Sequence, residues 1–240
     1  MGSEAWRLMW GKTDKDQRDR YHPLLFHLLD AANVACLLWS RVLGEPEKAA
    51  VAGDLGLEGE RLEAVVAFLA GLHDLGKATP AFQRQRPDLA LPLEGLGLHL
   101  GSGEPKPHSL MTAHEVKRLI EEPNFVVTAD RMTAKMLSQL TAAHHGVFPD
   151  AADLINLRCD SLGDERWHAA RRWMAEALWG PLTRGVEVRL KLSEEPQDPQ
   201  TVPVLAGLIS VADWVGSNPD YFCAVAASHC VLTLSGGVVE

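Results

Sequence analysis

Apolar residues return at helical spacing along almost the whole chain, a pattern that a packed set of helices satisfies and a sheet does not. Leu24, Leu28, Ala31, Ala35 and Leu38 form one stripe over residues 23–43, with Pro23 suited to a first helical turn. Leu62, Val66, Leu69 and His73 form a second over 59–75. A helix is expected to start near His108, behind Pro107, and run to about Glu121. Another, over 129–143, sets Met132, Met136, Leu140 and His144 on one face. Residues 164–180 turn Trp167, Ala170, Met174 and Leu178 inward, and residues 203–215 do the same with Leu205, Ile209, Ala212 and Asp213. The Gly-, Pro- and Leu-rich stretch 87–107 reads as a long loop that admits a short helical turn, a length that tends to be functional or mobile. VEVRLKLSEEP (186–196) alternates like a strand and allows a small two-stranded excursion, and VLTLSGGVVE (231–240) resembles a strand and turn. No repeat or linker divides the core, so the expectation is an all-α fold in one domain.

Composition removes several function classes. The four cysteines, Cys36, Cys159, Cys223 and Cys230, form no CxxC pair, which argues against a zinc ribbon or a redox dithiol. No apolar run approaches the ~20 residues of a membrane span. The opening MGSEAWRLMWGK carries no signal-peptide core, so a cytoplasmic protein without a membrane partner is expected. A formal charge of −9 is wrong for an autonomous duplex-DNA binder. It leaves room for a metal-dependent phosphoesterase, where cations meet the phosphate and a partner delivers the strand.

The inward-facing polar residues are His27, His73-Asp74, His108, His144-His145 and Asp213, each on or at the end of an otherwise apolar helix. Imidazoles and carboxylates together suit Mn, Fe, Co, Ni or Zn, and carboxylates also admit Mg. Five histidines and two aspartates exceed the needs of one ion and match two. Taken singly, His27 is more often a hydrogen-bonded core histidine, an HD dipeptide is common, and His144-His145 fits a helix C-terminus. An unpaired buried carboxylate at Asp213 is harder to dismiss, because it is expensive. Their coincidence carries the weight, while His22, His99, His168 and His229 read as surface residues. Lys77, four residues after His73, could reach a phosphate oxygen or could be a solvated helix-terminal lysine. Thr79 and residues 78–86 could line a substrate approach, with Arg84 and Arg86 as candidate contacts to a nucleic-acid backbone.

The order H…HD…H…HH…D resembles the HD-domain metal-dependent phosphohydrolases. The segments MWGK, YHPLLFHLLDAANVA, FLAGLHDLGKATPAFQ, AAHHGVFP and LAGLISVADWVGSN are similar, more specifically, to the HD nuclease domain of the type I CRISPR effector nuclease-helicase. They span residues 9–218. The resemblance implies an HD helical fold over 1–222, with 223–240 a tail or linker toward a helicase. It implies one divalent ion held by His27, His73, Asp74 and Asp213, and a second held by His108, His144 and His145, with Asp74 bridging. At the third histidine PHSLMTAHEV offers His108 or His114; His108 is preferred because it opens the helix, with Thr112 one turn on. His73, Asp74 and Lys77 are the implied catalytic group, and Lys77, Thr79 and Arg84 the candidate substrate contacts. The family cleaves single-stranded DNA in CRISPR antiviral defence with one or two divalent ions (Mn, Ni, Co, Fe or Mg). Its partners are a helicase domain or subunit and an RNA-guided surveillance complex. No GxxxxGK[ST] run occurs here, which is expected of an excised domain or a stand-alone subunit. A phosphohydrolase of nucleotides or cyclic dinucleotides, and a metal-stabilised docking module, share the ligand set and stay open.

Overall fold

Helices form where the apolar spacing is helical, and short carboxylates set several of their starts. The computed structural model describes residues 5–13, 20–157, 159–183, 190–191, 200–222 and 225–226. The segment VLTLSGGVVE, most of 186–196, and His229 lie outside the described residues. In chain order the elements begin with α1 (Ala5–Leu8), β1 (Trp10–Thr13), β2 (Arg20–Pro23), α2 (Leu24–Arg41), α3 (Glu45–Leu55) and α4 (Gly59–Gly71). A 3₁₀ turn (Leu75–Lys77) leads into α5 (Pro80–Gln83), α6 (Pro87–Gly95), α7 (His108–Glu121), β3 (Val127–Thr128) and α8 (Arg131–Ala142). A second 3₁₀ turn (Ala143–His145) precedes α9 (Ala151–Ile155), α10 (Cys159–Leu162), α11 (Glu165–Leu182), β4 (Leu190–Lys191), α12 (Thr201–Gly216) and β5 (Val225–Ala226).

The fold is all-α apart from short strands. Helix α2 is central, packed against α4 and α12, while α7 packs along α8. Their shared core is aromatic and aliphatic, with Phe68 edge-on to Trp179 at 5.0 Å and tilted against Phe125 at 6.2 Å. Asp130 and Asp164 cap α8 and α11 by accepting two backbone N–H groups each. Strands β1 and β2 form an antiparallel hairpin with β5 along its far edge, so a hairpin exists at the start of the chain, where none was expected. Within the alternating stretch, Leu190–Lys191 pairs in parallel with β3. Among the described residues no single helix is long and apolar enough to cross a membrane.

Several sequence expectations need correction. Residues 87–95 are helical and not loop: Pro87 occupies the first turn with Asp88, and Leu89, Ala90 and Leu93 are buried at helical spacing. The remaining loop is strapped down by side chains. Arg84 donates to the carbonyls of Leu100, Gly101 and Gly103, Arg166 to that of Gly97, and Trp167 Nε1 to that of His99. Helix α4 stops at Gly71, so His73 and Asp74 sit in the turn beyond it. Met132 is exposed, because the buried stripe of α8 runs through Ala134, Leu137 and Leu140.

His168 is also misplaced by the sequence reading. It is buried on α11, with Nδ1 paired to Glu115 and Nε2 2.8 Å from Glu122. Arg171, fully buried, lies 3.2 Å from the second Glu115 oxygen and donates to the carbonyls of Ala78 and Leu162. Burial works against the Glu115 anion, yet His168 and Arg171 outweigh it and hold its pKa down from 4.5 to about 2. A depressed carboxylate pKa stabilises the fold fully above pH 4.5, and that contribution fades as pH falls toward 2. Glu115→Gln strands the Arg171 charge and should cost about 3–5 kcal/mol at neutral pH. Denaturant melts between pH 7 and 2 should show the gap between variant and wild type closing on the acid side.

Candidate metal centre

The HD pair occupies the turn between α4 and the first 3₁₀ turn. Here His73 Nδ1 lies 2.8 Å from the Ala70 carbonyl. That bond keeps a proton on Nδ1 and turns Nε2 inward, toward the carboxylates. Helix α2 brings His27 opposite, and α12 brings Asp213. His27 Nε2 lies 3.0 Å from Asp74 Oδ2, 3.2 Å from His73 Nε2 and 3.5 Å from Asp213 Oδ1. His73 Nε2 is 3.3 Å from both Asp74 Oδ2 and Asp213 Oδ1. Each of these four buried residues offers a donor atom within 4.8 Å of the other three.

A second cluster adjoins the first. His108 opens α7, and the 3₁₀ turn after α8 presents His144 and His145, again with mutually close donor atoms. His145 Nε2 is 3.0 Å from His108 Nε2. Asp74 Oδ1 faces this trio, 3.1 Å from His108 and 3.4 Å from His144. The two oxygens of one carboxylate therefore point into different clusters. His144 is buried, His108 half-buried and His145 exposed, so the second cluster is the open one. His114, farther along α7, belongs to neither.

The donor set fits cations. Asp74 Oδ1 and His144 Nε2 are buried without an aligned hydrogen bond, an arrangement that costs free energy unless a ligand satisfies it. Burial pushes the pKa of His27, His144 and His145 down, favouring the neutral imidazole. Burial also opposes charge on His73, but Asp74 and Asp213 prevail and raise it to about 9. Both carboxylates resist their burial and lie well below the usual range, Asp74 through Lys77 and His73, and Asp213 through His27 and His73. Ionised carboxylates and, at His27, His144 and His145, neutral imidazoles are the forms that ligate metals.

The other candidates are placed as follows. Lys77 is buried, with Nζ 2.6 Å from Asp74 Oδ2 and donating to the Gly11 carbonyl at 3.1 Å. Thr79 is buried beneath the turn and donates to the Gly76 carbonyl. Arg84 is occupied by the loop carbonyls, and Arg86 pairs with Asp88. Sequence reasoning passed over Lys12, which lies 3.5 Å from Asp213, and Ser217, which donates to that carboxylate at 2.7 Å. It placed Gln83 only within a possible substrate approach, whereas its amide donates to the carbonyls of Trp10 and Lys77 and so ties β1 to the HD turn. The segments MWGK and ADWVGSN contained the first two, without any sign that they meet.

A helical domain gathering five imidazoles and two carboxylates around one His-Asp turn defines the HD class. The chain belongs to the Cas3 HD-domain family: residues 10–222 match the family described as "Cas3, HD domain". It is 33% identical over 221 residues to the CRISPR-associated endonuclease/helicase Cas3 of Thermus thermophilus, covering 91% of this chain and 23% of that protein. The chain thus spans about a quarter of the length of the curated relatives it matches. A crystal structure of a CRISPR-associated protein superposes with a TM-score of 0.84 at 31% identity, over 97% of this chain and 26% of the other. The Thermus thermophilus Cas3 HD domain crystallised in the presence of Ni2+ gives a TM-score of 0.64 at 30% identity, over 92% and 81%.

Gly76 lets α7 approach the HD turn. Its N–H donates to Thr112 Oγ1, which donates onward to the His73 carbonyl, and a Cβ would strike the backbone of His108 and Thr112. Gly76→Ala should therefore cost about 1–3 kcal/mol by overpacking and push His108 away from Asp74. Thermal melts with and without Ni2+ should show a lower melting temperature and a smaller metal-dependent rise than the wild type.

Proposed function

We propose that this chain is a metal-dependent nuclease domain that hydrolyses phosphodiester bonds of single-stranded DNA in CRISPR antiviral defence. The observation that carries the reading is the sharing of Asp74 between a closed four-residue cluster and an open three-histidine cluster. Asp74, His27, His73 and Asp213 would hold one divalent ion, and His108, His144 and His145 a second, with the two Asp74 oxygens divided between them. When bound, divalent ions such as Mn, Ni, Co, Fe or Mg supply Lewis acidity at the scissile phosphate and lower the pKa of water. The chain's own residues do the rest. Asp74 is kept ionised by the Lys77 ammonium, and the Nδ1 bond of His73 keeps its ligating face turned in. The two clusters are imidazoles and carboxylates, ligand chemistry that suits attack by a metal-activated water. The exposed side, at His108 and His145, is where a strand enters. An RNA-guided surveillance complex and a helicase domain or subunit would deliver that strand, which suits a chain of net charge −9.

Metal-stripped protein resupplied separately with Mn, Ni, Co, Fe or Mg should nick circular single-stranded DNA. Asp74→Ala and the isosteric Asp74→Asn should lose at least about a thousandfold in rate, or ~4 kcal/mol of transition-state stabilisation. Cleavage confined to mononucleotides or cyclic dinucleotides would sink the reading, as would full activity in both variants.

A further inference from the structure

Lys77 has the sequence position of a phosphate-binding lysine, but its ammonium is committed. It is buried, 2.6 Å from Asp74 and bonded to the Gly11 carbonyl. The next residue along β1 is differently placed. Lys12 keeps a third of its side chain exposed (34%), and its Nζ reaches the outer edge of the closed cluster, 3.5 Å from Asp213 Oδ1. Its hydrogen-bond partners among the described residues are Ser217 Oγ and that distant carboxylate oxygen, and Ser217 already donates to the same oxygen at 2.7 Å. An ammonium has three hydrogens to give. The separation from Asp213 is longer than a charge-assisted bond at its best, so that pair does not saturate the ammonium.

The strand beneath Lys12 is firmly fixed. Trp10 N–H donates to Gln83 Oε1, the Gln83 amide returns a bond to the Trp10 carbonyl, and the Trp10 ring stacks on Phe82 at 4.4 Å. Gly11 lies so close to α2 that a Cβ would sit 3.0 Å from the Leu24 Cα. The sequence Trp10-Gly11-Lys12 thus anchors, approaches and then projects one cation over the metal ligands.

We infer that Lys12 is the phosphate-contacting residue of the site, its ammonium meeting a non-bridging oxygen of the scissile or adjacent phosphodiester, while Lys77 acts only through Asp74. The inference rests on the nuclease reading and names the group that meets its substrate. Charge on the non-bridging oxygens of a phosphodiester under attack is stabilised by a positioned cation, and a compact ammonium on a fixed strand supplies one.

The test compares wild type, Lys12→Met and Lys12→Arg in Mn2+ on a single-stranded oligodeoxythymidylate, with Mn2+ affinity measured by calorimetry in parallel. Lys12→Met should lose about ten- to a hundredfold in kcat/KM. Its logarithmic salt dependence should be shallower by about 0.7, one phosphate contact on a single strand. Mn2+ affinity should change by much less than the rate, since Lys12 borders Asp213 without being a ligand itself, and Lys12→Arg should recover much of the rate. If Lys12→Met cleaves like wild type, or keeps the wild-type salt slope, or loses Mn2+ binding in proportion to rate, the inference is overturned and the nuclease reading stands. If wild type binds Mn2+ and cleaves no DNA, both fall together.

Discussion

The buried carboxylate of Asp74 is the constraint around which this domain is arranged. With 2% of its surface exposed, it is an anion removed from water, and the desolvation cost of several kcal/mol must be met by partners held in place. Lys77 meets one oxygen, but its ammonium is itself desolvated and needs the Gly11 carbonyl. That carbonyl is available because Gln83 fastens β1 to the body of the protein. His27, His73, His108 and His144 complete the shell from two helices and two turns. One charge therefore ties segments more than sixty residues apart, counting from Gly11 to Lys77, and removing any partner leaves another buried polar group unmatched.

That arrangement needs a scaffold stiffer than hydrophobic packing alone. Helices α2, α4 and α12 supply an apolar core whose ends meet at the site, and the site residues lie on those ends and not mid-helix. Two polar braces add direction. Thr112 bonds the HD turn from α7, and Arg171, held by Glu115, grips the Ala78 carbonyl from α11. The turn carrying His73, Asp74 and Lys77 is thus bonded from both sides by groups that never touch an ion. Preorganisation of this kind is what keeps donor atoms converged while like-charged neighbours repel.

Much of this was legible in the sequence, and the part that was not has a common physical origin. Helical period found α2, α7, α11 and α12 because their buried faces are apolar, and Asp213 stood out because an acid on such a face demands a partner. Helix α6 was missed because Pro87 and Pro92 argue for loop, although Pro87 falls in the first turn, where its missing N–H costs nothing. Met132 was placed inward because it continues a stripe through Met136 and Leu140, but α8 turns its Ala134 and Leu137 side to the core. His168, Thr79, Arg84 and Lys12 share another difficulty. The role of each depends on a group supplied from elsewhere in the chain or by the local turn, Glu115, the Gly76 carbonyl, the 100–103 loop carbonyls and Ser217 respectively. Periodicity reports which face is buried and is silent on which polar groups meet there.

On the proposed nuclease reading, the unequal exposure of the two clusters reconciles an acidic chain with an anionic polymer as substrate. In the buried cluster the donor atoms of two aspartates and two histidines lie within 4.8 Å of one another, so an ion held there would be enclosed by the protein. In the other, His108 and His145 leave one flank to solvent, and that flank is where a phosphate can complete the coordination without the strand entering the core. Attraction for a strand would then come from charges confined to a few ångströms, the ions and the lysine on β1, and not from the field of the whole surface. Short-range attraction of that kind is weak at a distance beyond the ~10 Å screening length of salt, so on that reading capture would fall to a partner, while the site itself would discriminate only at contact. A nuclease domain built this way would benefit from a negative exterior, which would hold stray nucleic acid off until a strand was threaded to the metals.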